Sequence, residues 1–264
     1  MCDICGCGDT SKPRFILRDS DHHHSHQHDH DHNHEDGHHH GHDHDHSPTE
    51  IQVQQDILNR NQLHAERNRG YFEAKKITAL NLVSSPGSGK TTLIEAIIER
   101  FGEGARICVV EGDQQGTLDA DRIAKLNIPV IQINTGNSCH LDAETTGHAV
   151  KHLDPDPNTL VIIENVGNLM CPSLFDLGEN FRVVLLSAPE GEDKPLKYPN
   201  MFDTSHVCVI SKTDLAGPAG FSTERAVENA LRVNPKLKIF EVSAKTGDGF
   251  DRFADWLKEV AAFL

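Results

Sequence analysis

Ser84-Ser85-Pro86-Gly87-Ser88-Gly89-Lys90-Thr91 follows an apolar run at residues 77–83 and opens a helical pattern at residues 91–101. A strand, a glycine-rich turn and a helix in this order form the context of a phosphate-binding loop. Gly87 and Gly89 let backbone amides close around phosphates. Ser88 and Thr92 flank that cradle, Lys90 reaches the β and γ phosphates, and Thr91 offers its hydroxyl to Mg²⁺. The helix N-terminus adds partial positive charge. Ser84 stands where the general signature has its first glycine.

Outward from this loop, short apolar runs alternate with helical patterns. Strands are predicted at 77–83, 106–110, 130–133, 160–164, 182–186, 206–210 and 238–242, and helices at 91–101, 119–126, 141–152, 222–232 and 250–263. Residues 51–69 read as a polar helix whose weak apolar face comprises Ile51, Ile57, Leu58 and Ala65. Near-continuous apolar strands separated by helices predict an α/β fold, a mostly parallel sheet covered on both faces. Ligands of such sheets sit at the carboxyl ends of the strands.

Other motifs fall at those ends. Ser211-Lys212-Thr213-Asp214 resembles the N-K-x-D signature, in which Asp214 accepts hydrogen bonds from guanine N1 and N2 and the Lys212 stem covers the base. Ser211 replaces the usual asparagine, so one tie to the loop is expected to weaken. Ser243-Ala244-Lys245 matches the loop that covers guanine O6. Together they favour GTP over ATP. Glu164-Asn165-Val166-Gly167 stands where GTPases place D-x-x-G, with Glu164 holding Mg²⁺ and the Gly167 amide contacting the γ phosphate. Asp113, in Glu111-Gly112-Asp113, and Asp119 are placed to approach the same ion or orient water. Lys90, Asp113 and Glu164 are the candidate catalytic residues. Neither a water-aligning glutamine nor a catalytic arginine is evident, and such an arginine supplies about 10³ to 10⁵ in rate. Slow GTP hydrolysis to GDP is expected.

Composition divides the chain. It has 264 residues, 40 acidic against 25 basic side chains, 19 histidines and a net charge of −15. That balance argues against a phosphate-backbone grip on nucleic acid. No run approaches the roughly 20 apolar residues a membrane span needs, so no membrane insertion is expected. Three cysteines where a signal peptide would be apolar argue against export, and a reducing cytoplasmic location makes thiols metal ligands or core residues. Fourteen of the histidines lie within residues 22–46, and residues 19–50 hold no isoleucine, leucine, valine or aromatic residue. Residues 11–50 are therefore expected to be a disordered metal-binding tract, with the folded domain at 51–264.

Three metal signals share the chain. Cys2, Cys5 and Cys7, within residues 1–10, can converge on one ion: Ni²⁺ if the donors are planar, Zn²⁺ if tetrahedral. The histidine tract offers imidazoles that are mostly neutral at pH 7. Cys139-His140 and Cys171 fall on two strand-end loops on the nucleotide side, and His148 is a further donor nearby. As spacing alone, that trio is as readily ordinary loop residues as ligands. Cys108 and Cys208 read as core residues, and His64, His152 and His206 as surface or satisfied histidines.

Taken together, Cys2-x-x-Cys5-Gly6-Cys7, residues 81–92 (NLVSSPGSGKTT), Glu111-Gly112-Asp113, residues 139–143 (CHLDA), and residues 164–168 (ENVGN) with Cys171-Pro172 resemble the HypB GTPases, which assist nickel insertion into [NiFe] hydrogenases. The resemblance implies a P-loop NTPase of the SIMIBI type, a homodimer favoured by GTP, slow hydrolysis, and Ni²⁺ or Zn²⁺ at Cys139, His140 and Cys171. It also implies a HypA-type metallochaperone and the hydrogenase large-subunit precursor as partners. The histidine tract resembles the nickel store of some members. Two other readings compete. A urease accessory GTPase shares the loop and nickel delivery but carries a C-P-H context. A nickel or zinc storage protein would keep only weak GTPase activity.

Overall fold

The computed structural model describes residues 14–18, 50–102, 104–114, 116 and 118–261. Helix α1 (Glu50–Lys75) leads into β2 (Thr78–Ser84), α2 (Lys90–Phe101), β3 (Ile107–Asp113), α3 (Leu118–Ala124), β4 (Val130–Asn134), α4 (Ala143–Leu153) and β5 (Leu160–Glu164). A 3-10 turn at Cys171–Leu174 precedes β6 (Phe181–Ser187). Short helices follow: the 3-10 turn Ala188–Glu190, α5 (Lys194–Lys197) and α6 (Pro199–Asp203). Then come β7 (Val207–Ser211), the 3-10 turn Thr213–Leu215, α7 (Ala216–Ala219), α8 (Thr223–Val233), β8 (Lys238–Val242) and α9 (Phe250–Val260). Arg14–Arg18 forms β1.

The eight strands of the described residues join one sheet in the order β1-β4-β3-β5-β2-β6-β7-β8. The seven from β2 to β8 run parallel, as the alternating pattern predicted, because their connections cross over through helices. β1 was not among the predicted strands, and it corrects the expectation that residues 11–50 lack structure throughout. It pairs antiparallel with β4, from Arg14 opposite Asn134 to Arg18 opposite Val130. The reason is local: RFILR is the apolar stretch that precedes the histidine tract, and the outer edge of β4 offers open backbone groups. The rest of residues 1–49 lies outside the described residues, including Cys2, Cys5, Cys7 and the tract of 22–46.

The β2–β6 strands are buried along nearly their whole length, and packed layers lie on both faces. Leu80, Leu82, Val109, Ile162 and Val183 meet α2, α3 and α9 on one side. Ala79, Val110, Ile131 and Ile163 meet α1 and α4 on the other. Cys108 and Cys208 are core residues as expected; burial alone pushes both thiols up to about 12.

Helix α1 corrects part of the predicted apolar face. Ile51 and Ile57 are exposed, whereas Ala65 is buried as expected, alongside Asn61, Asn68 and Phe72. Both asparagines are used as hydrogen-bonding staples. Asn61 donates to the Asp176 carbonyl and accepts from the Ala143 amide, and Asn68 donates to the carbonyls of Ala143 and Leu177. A polar face that satisfies backbone groups of two neighbouring segments cannot be found by hydrophobic period.

Candidate functional site: a nucleotide cleft beside a cysteine-histidine trio

Ser85–Ser88 turns from β2, a central strand, into α2. Gly87 and Gly89 take φ of 74° and 97°, the left-handed region that glycine enters without strain. The turn is clamped from several sides. Ser88 Oγ donates to Glu190 Oε2 at 2.7 Å, and the same oxygen accepts from the Ser187 amide and hydroxyl. Burial pushes Glu190 up, but hydrogen bonds from Ser85, Ser88 and Ser187 outweigh it and hold the carboxyl below its usual range. Glu190 was missed in the sequence, because its role depends on a turn after β6 meeting a loop after β2. Lys90, buried, donates to Ser84 Oγ at 3.1 Å, so the serine in place of the first glycine supplies a resting partner for the lysine.

Ser211 ties the loop with its hydroxyl, which donates to the Ser88 carbonyl at 2.8 Å. Lys212, at φ 56°, adds a second tie: its Nζ donates to the Gly87 carbonyl at 2.6 Å. Asp214 accepts from Ser243 Oγ at 2.8 Å, which joins the two base-recognition motifs. A cavity of about 270 Å³ is lined by Gly89, Thr92, Lys212, Asp214, Ala244 and Lys245 among others. The residues predicted to meet a purine base thus surround one hole beside the phosphate loop.

On the other side of the loop, Thr91 Oγ1 donates to Glu164 Oε1 at 2.9 Å. Burial raises Glu164 to about 7, while Lys90 and Thr91 pull it down. Its neighbour in register on β3 is Glu111, which burial and then the charges of Glu164, Asp113 and Asp119 raise to about 9. Glu164 Oε2 and Glu111 Oε2 are buried with no hydrogen-bond partner among the described residues. An orphaned carboxylate oxygen beside a threonine hydroxyl is a donor set that suits Mg²⁺. Asp113 accepts from the Gly116 amide, and Asp119 pairs with Arg122 at 3.2 Å. Both lie near enough to raise Glu111. Arg122, also missed, is held by Glu95 at 2.6 Å and lies 3.5 Å from Thr92 Oγ1. Gly167 abuts the phosphate loop, since a Cβ there would come within 2.9 Å of Pro86 Cα.

The trio assembles at the same end of the sheet. Cys139 and His140 follow β4, and Cys171 opens the turn after β5. The two sulfurs lie 2.7 Å apart, His140 Nδ1 is 3.9 Å from Cys139 Sγ, and donor atoms of all three fall within 4.8 Å of one another. Among the described residues this is the one such group. His148 is exposed on α4 and does not join it. His140 stacks on Phe175 with ring centroids 3.8 Å apart, and burial lowers its pKa, which leaves the ring neutral and able to donate to a metal. Two sulfurs and an imidazole suit a soft or borderline ion such as Zn²⁺ or Ni²⁺. No helix among the described residues is long and apolar enough to cross a membrane.

Known proteins are similar in sequence and fold. The family model for the CobW/HypB/UreG nucleotide-binding domain matches residues 78–241. The hydrogenase maturation factor HypB of Rhizobium leguminosarum bv. viciae is 51% identical over 212 residues, spanning 80% of this chain and 71% of that protein. HypB of Escherichia coli K12 is 47% identical over 208 residues, 79% and 72% of the two chains. The crystal structure of HypB from Helicobacter pylori in complex with nickel superposes with a TM-score of 0.72 at 38% identity, covering 77% of this chain and 95% of that one. HypB from Archaeoglobus fulgidus gives 0.72 at 41% identity, covering 77% and 99%. A phosphate loop, a purine-sized hole and these likenesses agree, and the chain belongs to the HypB hydrogenase maturation factors of the CobW/HypB/UreG family of P-loop nucleotide-binding proteins.

Proposed function

We propose that the protein is a GTP-hydrolysing nickel chaperone that assists nickel insertion into the [NiFe] hydrogenase large subunit. The observation that carries this reading is the trio Cys139, His140 and Cys171, all within 4.8 Å, on loops that border the phosphate cleft. The H. pylori relative was solved in complex with nickel, which supports Ni²⁺ as the cargo here. Zn²⁺ suits the same donors. The cavity lined by Asp214, Lys212, Ala244 and Lys245, with Ser243 holding Asp214 from behind, supports guanine, because a carboxylate there accepts from guanine N1 and N2 and finds no such pair of donors on adenine.

Gly87, Ser88 and Gly89 cradle the phosphates of GTP, Lys90 leaves Ser84 for the β and γ phosphates, and Gly167 closes on the γ phosphate. Thr91 and Glu164 would hold Mg²⁺, with Asp113 and Asp119 near it. The ion neutralises charge on the β and γ oxygens when bound. Arg122 is tied to Glu95 and Asp119, which fits slow hydrolysis to GDP. Loss of the γ phosphate frees the Gly167 loop, which carries Cys171 four residues on, and the trio loosens for transfer. Three donors leave a coordination position for a second copy of the chain or for a HypA-type partner. Cys2, Cys5, Cys7 and the tract of 22–46 gather nickel upstream of this step, in the cytoplasm.

The test is hydrogenase maturation in cells. Deleting residues 22–46 is expected to be rescued by added nickel, whereas Lys90→Ala and Cys139→Ala are not. Loss of maturation on removal of residues 1–50, even with abundant nickel, would instead make the protein a metal store with an idle nucleotide domain. The H. pylori relative named hydrogenase/urease maturation factor, 38% identical over 214 residues, keeps urease as a second client. Assaying both nickel enzymes after gene deletion separates the two.

A further inference from the structure

Asn165 lies between Glu164 and the Gly167 loop, is buried, and faces the metal loop. Its Oδ1 accepts from the Leu141 amide at 3.1 Å and from the Val166 amide at 3.0 Å, and its Nδ2 donates to Asn81 Oδ1 at 3.2 Å. Leu141 is the residue after His140 and is fully buried. Its side chain fills the space beside Gly112, where a Cβ would come within 2.7 Å of it. Gly112 sits between Glu111 and Asp113. One residue next to a metal ligand is thus gripped twice by segments that face the nucleotide, by its backbone through Asn165 and by its side chain through Gly112. On the far side, Gly167 is pressed against Pro86 of the phosphate loop.

We infer that Asn165 is the positioning residue through which the occupant of the phosphate cleft sets the geometry of Cys139, His140 and Cys171, with Leu141 as its lever. The inference rests on the proposed function and names its coupling element. Because Asn165 Oδ1 accepts from the Val166 amide as well as from the Leu141 amide, a shift of the Gly167 loop pulls on the group that holds the Leu141 amide. A buried group hydrogen-bonded to both loops is a physical contact through which linkage can act, which spatial nearness alone is not. Asparagine suits the role because it accepts and donates at once, whereas a hydrophobic residue of that size would leave the Leu141 amide unsatisfied.

The experiment uses the full chain. Affinities for GDP and for a non-hydrolysable GTP analogue are measured with and without saturating Ni²⁺. Linkage is reciprocal, so in the wild type Ni²⁺ is expected to change the ratio of the two affinities by about fivefold or more. Cys139→Ala removes that change, which assigns it to the trio rather than to the other thiols and imidazoles. Asn165→Ala is expected to bring the change close to onefold while both nucleotides still bind. Leu141→Ala, which keeps the carboxamide, is expected to do the same and stands in should Asn165→Ala not fold. Asn61→Ala frees the start of α4 beside His140 without touching a nucleotide loop, and keeps the change. Full coupling in both Asn165→Ala and Leu141→Ala overturns the inference, as does equal loss in Asn61→Ala. A wild-type ratio that ignores Ni²⁺ sinks the coupled reading of the function itself.

Discussion

The phosphate loop and the metal loops lie at the same end of one sheet, yet they are held differently. The phosphate loop is clamped: Glu190 and Ser211 hold Ser88, and Lys212 holds Gly87. The metal loops meet through a sulfur pair, an imidazole stacked on Phe175, and one asparagine carboxamide. The clamped side is built to bind the same phosphates each time, with little reorganisation on binding. Under the proposed function the metal side is the half that moves, because a carrier that first holds and later releases its cargo requires two arrangements there.

The largest predicted effect breaks the clamped side alone. Lys90→Ala removes the buried ammonium that meets the phosphates and should lower the hydrolysis rate by about 10² to 10³. Ni²⁺ affinity measured with GDP bound should not change, because Lys90 touches neither metal loop. A parallel loss of nickel would show that the two sides are not separable in the ground state. Next in size, Cys171→Ser should weaken Ni²⁺ binding at the trio about tenfold or more, since the loss of outer partners alone costs that much at metal sites. GDP affinity is expected to stay level. Competition against a chelator, in a chain that also carries Cys2→Ser, Cys5→Ser and Cys7→Ser, reads the trio without the N-terminal thiols.

The same contrast explains what could be read beforehand. Strands at 160–164 and 238–242 and the phosphate loop are legible because each is decided by neighbours in sequence: apolar runs, glycines and a lysine at fixed spacing. The base pocket is legible for the same reason, and Ser211 keeps a tie to the phosphate loop through its hydroxyl. Glu190 stands in no motif, and Glu111 and Asn165 stand inside quoted motifs whose spacing says nothing of their own contacts. Their roles come from register between β3 and β5, from a loop after β5 meeting one after β4, and from a turn after β6 meeting the phosphate loop. The buried face of α1 was partly misread because asparagines satisfy carbonyls there, and β1 was missed because an antiparallel edge pairing obeys no crossover pattern.

Glu111 sharpens the comparison from beneath the cleft. Its folded pKa is about 9, well above the usual carboxylate range, chiefly through burial. Above about pH 4.5 the unfolded chain has released this proton while the folded chain keeps it. The folded state then binds more protons, so stability falls as pH rises, by about 1.4 kcal/mol per pH unit at most, until roughly pH 9. Glu164, at about 7, adds to the fall only up to neutral pH. Glu111→Gln removes the larger share. Urea titrations without nucleotide or metal should show the variant gaining on the wild type between pH 7 and 8. Parallel curves over that interval would mean that Glu111 is hydrated and ionised in the folded chain.

Glu190 has the opposite sign and the smallest effect. Its hydrogen bonds to the serines hold the folded pKa below the usual range. The stabilisation is therefore complete above the unfolded value and is lost as pH falls through the folded one. Glu190→Gln keeps acceptors for Ser88 and Ser187 but removes the charge, and charged hydrogen bonds exceed neutral ones by about 1 kcal/mol. The variant should be less stable than the wild type by about that much at pH 7, with the gap closing as pH falls through the folded value. GDP affinity should drop in step, because the phosphate loop has lost part of its clamp, while Ni²⁺ binding at the trio stays level. A nickel site that weakened along with GDP would mean that the clamp reaches across the cleft, and that the two loops are one rigid body rather than a fixed half and a movable one.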